Sequence, residues 1–314
     1  MAEVNITLAV EFFFLGFADL PNLQGFLFLI FLIIYLSILI GNGLIIVITK
    51  LEPSLQTPMY FFLGNFSFLE ICYTSVTLPK MLIDLWTQKR KISFLGCATQ
   101  LFFILILGVT ECFLLSVMAY DRFVAICKPL YYTLIMNHTM CVWLVIGSWI
   151  IGIPILIGLT YQIFSLPFCG SNKLEHVFCD IPPLLKVACG DISMEEYSIY
   201  VDAGIFGMFP FLFISGSYAK IIAAILKLPS SKGRYKAFFT CSSHLIVVTL
   251  YFGSAGISYL MPNSSHSTVT EILFSLFYTI LTPLFNPLIY SLRNKDFIVA
   301  MRKLLPKCVG LRNT

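Results

Sequence analysis

The chain has 314 residues, of which 58% are hydrophobic and only 11% are charged, and its formal net charge is +4. Soluble domains carry roughly 25% charged residues, so this composition argues against a soluble enzyme and against a disordered chain. The positive excess is also far too small for a nucleic-acid-binding surface.

Long apolar segments dominate the sequence. A spanning helix needs about 20 mostly apolar residues, and seven segments of that kind are almost free of Asp, Glu, Lys and Arg. In chain order they are Gln24–Thr49, Pro58–Pro79, Ile92–Tyr120, Met140–Thr160, Tyr197–Ala219, a segment within Ala237–Thr270, and Ile272–Leu292. The loops are short and no internal repeat is visible. The sequence predicts an all-α membrane protein with three regions, which are residues 1–23, a seven-helix bundle over residues 24–292, and a tail over residues 293–314 with a short amphipathic helix.

An odd number of spans places the two termini on opposite sides of the membrane. With the N-terminus outside, the inner segments carry fourteen Lys and Arg residues and the outer segments carry six. The positive-inside rule therefore predicts an outer N-terminus and an inner C-terminus. The cluster Lys89-Arg90-Lys91 is the local exception. Asn5-Ile6-Thr7 is a glycosylation sequon on the outer side, so Asn5 is the expected acceptor.

Cysteine placement agrees with this topology. Cys97, Cys169, Cys179 and Cys189 all fall outside. Four cysteines on the oxidising side of a membrane indicate two disulfide bonds. The spacing alone leaves all three pairings open.

Several ionisable residues lie within the predicted spans, where a charge is costly. Glu70 and Glu111 are mid-span on neighbouring helices. Two carboxyl groups that face one interior would either bind a cation or share one proton. The alternative is that both are protonated and only hydrogen-bond to neighbouring helices. Asp202 lies near the outer end of the fifth span, where it either faces a ligand cavity or caps the helix start.

A second polar group is predicted at the inner mouth of the bundle. Asp121 and Arg122 end the third span, and Tyr218 and His244 lie at a similar depth in the fifth and sixth. We expect Arg122, Tyr218 and His244 to converge there. The alternatives are an interfacial ion pair between Asp121 and Arg122 and an ordinary packed histidine.

Specific motifs appear at the span ends. Met118-Ala119-Tyr120-Asp121-Arg122-Phe123-Val124-Ala125-Ile126-Cys127 resembles the olfactory receptor signature at the inner end of helix three. Further segments similar to that family are Gly41-Asn42, Pro58-Met59-Tyr60-Phe61-Phe62-Leu63, Ser217-Tyr218, Lys236-Ala237-Phe238-Phe239-Thr240-Cys241-Ser242-Ser243-His244-Leu245, and Pro283-Leu284-Phe285-Asn286-Pro287-Leu288-Ile289-Tyr290-Ser291-Leu292-Arg293-Asn294. The resemblance runs from about Asn5 to Leu305. Three departures are Phe123 in place of the more usual Tyr, Glu70 where Asp is commoner, and Tyr251-Phe252-Gly253, which inverts the usual Phe-Tyr-Gly order.

The resemblance implies a rhodopsin-like G-protein-coupled receptor in the plasma membrane. It implies the disulfide pairs Cys97–Cys179 and Cys169–Cys189. It also implies that a heterotrimeric G protein of the olfactory stimulatory type is the partner, with cyclic AMP as the signal. No cofactor is expected, apart from a sodium ion that Glu70 and Glu111 would hold.

The same resemblance places an odorant pocket in the outer half of the bundle. A mostly apolar cavity suits a small, volatile, largely hydrophobic ligand. The expected pocket residues lie on helical stripes, for which ordinary helix packing is the alternative: Ile104, Leu105, Gly108, Val109, Cys112, Asp202, Ala203, Phe206, Phe252, Gly256 and Tyr259. The expected residues of the switch that couples to the G protein are Asp121, Arg122, Tyr218, His244, Asn286, Pro287 and Tyr290.

Other classes of membrane protein fit less well. A small-solute transporter is expected to show a duplicated half or matching broken helices, and neither is visible. A membrane enzyme needs a nucleophile–base pair or metal ligands, whereas the four histidines are scattered. A receptor of the same fold that does not bind odorants is the nearest alternative. Lipidation of Cys308 is left open.

Overall fold

The computed structural model describes residues 11–18, 21–168, 172–227, 229–260, 268–292 and 295–308. Seven helical segments in this part of the chain are long and apolar enough to cross a membrane. They are numbered here as spans one to seven: Pro21–Leu51, Pro58–Thr87, Phe94–Cys127, His138–Phe164, Ser193–Leu226, Ser231–Ile257 and Thr270–Ile289. The predicted seven-helix bundle is therefore confirmed.

Spans one to five are longer than the apolar segments that predicted them. The α-helices of the bundle are Gln24–Leu51, Pro58–Thr87, Phe94–Cys127, His138–Ile150, Ile153–Phe164, Ser193–Asp202, Phe209–Leu226, Ser231–Leu260, Thr268–Leu276 and Thr282–Leu292. Short α-helices outside the bundle are Tyr132–Ile135 and Ile181–Val187, and a longer one, Lys295–Cys308, follows span seven. Single 3₁₀ turns are formed by Pro21–Leu23, Pro53–Leu55 and Pro129–Tyr131, and π-helical turns by Ala203–Met208 and Phe277–Leu281.

Several predicted boundaries are shifted, and for two of them the reason can be identified. Span two does not end at Pro79 but runs through it to Thr87, because a helix among neighbouring helices tolerates an internal proline. Span three begins at Phe94 rather than Ile92, because the Ser93 hydroxyl caps the helix by accepting a hydrogen bond from the Gly96 amide at 3.1 Å.

Prolines mark the points where helices resume. Pro154, Pro210 and Pro283 each occupy the second position of an α-helical segment, and the first turn of a helix is where proline is tolerated best. The segments that begin at Phe209 and Thr282 each follow a π-helical turn. Each turn adds a residue to the helical ladder just before the proline, which re-aims the side chains on the preceding turns.

Each span has a core face and a face suited to lipid. In span one, Phe26, Ile33 and Ile40 repeat every seven residues and are 61%, 63% and 62% exposed. On the opposite face, Ile38 and Ile45 are fully buried. Apolar exposure of this extent on a regular stripe is what a helix needs to contact lipid tails.

The short amphipathic C-terminal helix is also confirmed, as Lys295–Cys308. It buries Phe297 and Ala300 and leaves Arg302 and Lys303 exposed. The Lys303 ammonium reaches the buried Glu52 carboxylate at 3.0 Å and so ties this helix to the end of span one.

A small sheet at one end of the bundle was not predicted. Its strands are β1 (Glu11–Phe14), β2 (Lys91–Ser93) and β3 (Lys173–Leu174), in the order β2-β1-β3. β1 pairs antiparallel with β2, and parallel with β3. Strands this short carry too few residues for an alternating pattern to be recognised. We call this end of the bundle the sheet side and the opposite end the Arg122 side.

Candidate functional site

A long loop closes the sheet side. Cys179 forms a disulfide with Cys97 at the start of span three, with 5.5 Å between the two Cα atoms. The Cys179 amide also donates to Gln100 Oε1 at 3.0 Å. At the next residue, Asp180 accepts a 2.7 Å hydrogen bond from the Tyr278 hydroxyl of span seven. The loop is therefore fastened to two different spans over the end of the bundle.

The same loop contains a buried histidine. His176 is 3% exposed, and its Nδ1 lies 3.0 Å from the Phe178 carbonyl oxygen. Burial lowers the pKa of His176, and this effect is larger than the opposite effect of the nearby Asp180 carboxylate, which raises it. His176 is therefore neutral in the folded loop.

Below the loop, a tyrosine connects span six to span three. The Tyr251 hydroxyl donates to the Gly108 carbonyl at 2.8 Å, and the Cys112 thiol lies 3.7 Å from the same hydroxyl. Sequence reasoning placed Gly108, Cys112 and Phe252 in the pocket and missed Tyr251. The sequence signal was present in Tyr251-Phe252-Gly253, but helical spacing alone does not say which of two adjacent aromatic residues points inward.

The other expected pocket residues are buried or partly buried in spans three, five and six. Ile104 is buried in span three, while Phe206 is buried against Phe113 with 6.3 Å between ring centroids. The Phe252 ring lies 5.4 Å from that of Phe211 in span five. Phe206 and Phe252 thus make contacts between helices, as the packing alternative anticipated. The remaining expected residues are partly buried: Leu105, Gly108, Val109, Asp202, Ala203 and Gly256.

Asp202 lies deeper than the apolar segment suggested. Its helix begins at Ser193, four residues before the predicted start at Tyr197, so Asp202 is the last residue of a ten-residue α-helical segment. This position removes the interpretation of Asp202 as a cap at the helix start. The π-helical turn Ala203–Met208 follows directly.

Some expected residues fall outside the part of the chain that the structure describes. Asn5 and Cys169 lie outside the described residues, and so do the side chains of Tyr259 and Tyr290. Near Cys169, the backbone of the loop is anchored by a hydrogen bond from the Cys189 amide to the Pro167 carbonyl at 2.8 Å.

An acidic cluster lies in the middle of the bundle. Glu70 and Glu111 are both fully buried and close enough to interact electrostatically. The Asn286 side-chain amide of span seven donates to Glu70 Oε1. Within the described residues, no hydrogen-bond donor reaches Glu70 Oε2, either oxygen of Glu111, or Asn286 Oδ1. Buried oxygen atoms without a donor are costly, so these four atoms favour a cation or a proton between them.

On the Arg122 side, His244 bridges three spans. Its Nδ1 lies 3.0 Å from the Tyr218 hydroxyl of span five, and its Nε2 lies 3.1 Å from the Leu115 carbonyl oxygen of span three. The two rings are stacked with 5.6 Å between centroids. The structure therefore brings Tyr218 and His244 together, and His244 holds span six against span three.

The neighbouring acid–base pair is arranged differently from the expectation. Arg122 points toward the Met59 sulfur of span two instead of bonding to Tyr218 and His244. Within the described residues, Asp121 and Arg122 form no ion pair with each other. Asp121 is buried and accepts a 2.7 Å hydrogen bond from the Tyr132 hydroxyl. Burial and the Asp121 charge raise the pKa of Tyr132, which keeps it a donor. Tyr132 lies in a short helix after span three and carried no sequence signal.

Span seven connects to spans one and two through its proline-containing motif. Besides the Asn286 bond to Glu70, the Asn42 side-chain amide donates to the Pro283 carbonyl at 3.4 Å. A Cβ atom at Gly41 would lie 3.2 Å from the Pro287 ring, so Gly41 permits close approach of spans one and seven.

Comparison with known proteins identifies the family. A model of the olfactory receptor family matches residues 31–307. The human protein olfactory receptor 10AG1 is 60% identical over 298 residues, which cover 95% of this chain and 99% of the relative. Human olfactory receptor 10A7 is 50% identical over 305 residues, covering 97% and 96% of the two chains. Human olfactory receptor 10A5 is 50% identical over 314 residues, covering 100% and 99%.

A solved structure gives the same result at the level of the fold. The crystal structure of squid rhodopsin matches with a TM-score of 0.69, covering 94% of this chain and 88% of the rhodopsin at 21% identity. The chain belongs to the olfactory receptor family, and it has the fold of rhodopsin. It is a multi-pass receptor of the plasma membrane, not an enzyme.

Proposed function

We propose that this olfactory receptor binds small, largely hydrophobic odorants in the half of the bundle nearest the sheet. The observation that carries the proposal is the match to the olfactory receptor family over residues 31–307. The geometry supports it, because the loop fastened by Cys97–Cys179 and Asp180 covers an interior lined mainly by apolar side chains. Such an interior favours a ligand that is itself mostly apolar.

Four polar groups would orient an odorant in this pocket. Tyr251 and Cys112 already hydrogen-bond across spans six and three, so a ligand hydroxyl or carbonyl that enters here exchanges one hydrogen bond for another. Asp202 would accept from an alcohol or amine, with Tyr259 as a further candidate from span six. The proposed pocket also includes Ile104, Leu105, Gly108, Val109, Ala203 and Gly256, and it is bordered by Phe206 and Phe252, whose rings pack between helices.

The sheet side is proposed to face the outside of the cell. The excess of Lys and Arg on the Arg122 side supports this orientation by the positive-inside rule. The Cys97–Cys179 disulfide on the sheet side supports it independently, because disulfides persist in oxidising surroundings. The Cys189–Pro167 backbone bond agrees with a second disulfide between Cys169 and Cys189. Asn5 is then the site for a glycan.

Signalling is proposed to follow from displacement of span six. An odorant shifts the receptor only if it binds better to one arrangement of the spans than to the other. Release of His244 from Leu115 and Tyr218 would let span six move away from span three. Arg122, next to a vacated inner cleft, would then contact the α-subunit of a G protein. The stimulatory olfactory type is the proposed subtype. Asp121, Asn286, Pro287 and Tyr290 complete the proposed switch.

A sodium ion is the proposed occupant of the acidic cluster. Hard cations prefer oxygen ligands, and Glu70, Glu111 and Asn286 present four buried oxygen atoms that no described donor reaches. The cation would stabilise one arrangement of spans two, three and seven, so it belongs to the switch rather than to odorant recognition.

The test is an odorant panel applied to cells that express the receptor with a cyclic AMP reporter. At least one odorant should raise cyclic AMP in a dose-dependent manner, and cells without the receptor should not respond. Replacing the stimulatory α-subunit by an inhibitory one should remove the response. A response that persists unchanged with the inhibitory subunit would contradict the proposed subtype.

A further inference from the structure

The segment Glu11–Ala18, which we call the strap, lies across the sheet side of the receptor. It supplies the central strand of the sheet, so β1 separates the start of span three from the long loop. An N-terminal segment that only carried a glycan would not need a fixed place on the receptor. This segment instead contacts three different parts of the outer surface.

The strap is anchored by aromatic side chains. Phe12 is fully buried, 5.3 Å from the Phe168 ring and 6.1 Å from the Phe94 ring. At the other end of the strap, Phe17 lies 5.8 Å from Phe31 of span one. Buried aromatic residues contribute large apolar areas and favour one geometry. The strap therefore runs from the ends of spans three and four to span one.

The basic cluster Lys89-Arg90-Lys91, which departs from the positive-inside rule, contacts the strap. Lys91 pairs with Glu11 at 3.0 Å and lies 5.2 Å above the Phe13 ring. The Arg90 backbone carbonyl accepts from the Phe14 amide at 3.0 Å, and the Arg90 guanidinium donates to the Phe17 carbonyl at 3.4 Å. Lys91 and Arg90 thus bind the strap directly. This contact explains why they lie on the sheet side, where basic residues are fewer.

The strap also holds the long loop by its backbone. The amides of Phe13, Leu15 and Gly16 donate to the carbonyls of Asn172, Leu174 and His176 at 2.8, 2.8 and 3.2 Å. This stretch of loop leads directly to Cys179 and Asp180, which fasten the loop over the bundle. Any shift of the strap is consequently passed to the part of the loop that covers the proposed pocket.

Gly16 sets how closely the strap approaches the loop. A Cβ atom at this position would lie 2.4 Å from Val177 Cγ1 and 3.0 Å from the His176 carbonyl carbon. The second contact is with backbone, which cannot turn aside as a side chain does. A residue larger than glycine at position 16 must therefore separate the strap from the loop.

We infer that the strap is a positioning element for odorant recognition, and that Gly16 is its positioning residue. The strap stays docked during signalling and holds the loop at Leu174–Val177 in the register that closes the pocket. This inference rests on the proposed odorant-binding function, since it concerns the shape of the same pocket.

The test compares Gly16→Ala with Gly25→Ala in the full-length receptor. Gly25 lies at the start of span one, and a Cβ atom there would meet nothing within 4 Å, so this variant controls for the substitution itself. With surface level measured for each variant, Gly16→Ala should raise the odorant EC50 by about tenfold, while ligand-independent cyclic AMP per surface receptor stays unchanged. Gly25→Ala should match the unaltered receptor. Equal EC50 values for the two variants, or a parallel loss of basal and evoked signal, would overturn the inference.

A second variant covers the case in which Gly16→Ala does not reach the surface. Glu11 and Ser93 are opposite each other in the β1–β2 pair, so the double change Glu11→Cys and Ser93→Cys should lock the strap in place. The locked receptor should respond to odorant like the two single-cysteine receptors. A response lost only in the double variant would mean that the strap has to detach, which contradicts the inference.

Hydrogen–deuterium exchange gives a readout that needs no odorant. In the purified full-length receptor, the amides of Phe13, Leu15 and Gly16 should exchange slowly. Rapid exchange there would reject the docked strap even if the odorant response is present. Slow exchange in a receptor that answers no odorant would instead reject the proposed function and leave the docking intact.

Discussion

His244→Phe is the substitution that bears most directly on the proposed switch. Phenylalanine retains a flat ring that stacks on Tyr218, but it loses the hydrogen bonds to the Tyr218 hydroxyl and the Leu115 carbonyl. Each hydrogen bond contributes about 0.5–1.5 kcal/mol net, so the two together contribute about 2 kcal/mol. Because only the arrangement with span six against span three contains both bonds, the loss acts on that arrangement alone.

A difference of about 2 kcal/mol corresponds to a roughly 30-fold change in the equilibrium between the two arrangements. Ligand-independent cyclic AMP per surface receptor should therefore rise steeply, up to the level at which the open arrangement predominates. The Tyr218 hydroxyl still has the Cys241 carbonyl as an acceptor at 3.4 Å, so the variant should fold.

His138→Phe is the matched control, because His138 is exposed at the start of span four on the same side of the membrane. It should leave basal signalling unchanged. Basal signalling in His244→Phe that equals the control, or falls below it at normal surface level, would refute the reasoning that this bridge holds span six closed.

Three further predictions concern the acidic cluster, the pocket and the loop. Glu70→Gln and Glu111→Gln should each change activation. Because the two groups share one site, their effects in the double variant should be non-additive by more than about 0.5 kcal/mol. Strict additivity of the EC50 shifts would mean that the two carboxyl groups do not share a site. Asp202→Ala should raise the EC50 of alcohol or amine odorants by more than about tenfold, and it should change the EC50 of matched hydrocarbon odorants much less. Equal EC50 shifts for both kinds of odorant would show that Asp202 does not line the pocket. Burial holds the pKa of His176 below its ordinary 6.5, so the docked loop is favoured above that pH and loses stability as the pH falls below it. Odorant potency should therefore fall between about pH 7.4 and about pH 5.5, and His176→Gln should abolish this pH dependence; a pH profile identical in both receptors would exclude His176.

Long apolar segments made the bundle predictable, because a membrane requires each span to satisfy its own backbone and to present apolar side chains. The polar groups within the spans were equally visible, since charges such as Glu70 and Glu111 stand out against an apolar background. Counting residues along a span gives the depth of a side chain in the membrane to within about a turn. Depth alone therefore predicted that Glu70 lies near Glu111 and that Tyr218 pairs with His244.

Contacts that depend on side-chain direction or on short extended segments were not predictable. Tyr251 and Phe252 are adjacent, and the choice of which ring faces span three depends on helix rotation, which is set by packing with other spans. Tyr132 reaches Asp121 from a helix of four residues, which is too short to give a periodic signal. The strand β1 of the strap, likewise, has only four residues, and its partners lie about 80 and 160 positions along the chain.

Arg122→Ala, tested with an odorant that activates the unaltered receptor, is the most direct measurement of the central claim. Arg122 lies at the end of span three away from the sheet side, so the pocket should be untouched. Odorant binding should remain at normal surface level, while evoked cyclic AMP should disappear. Undiminished cyclic AMP would contradict a switch that works through Arg122, and loss of odorant binding together with signalling would contradict the separation of the two sites.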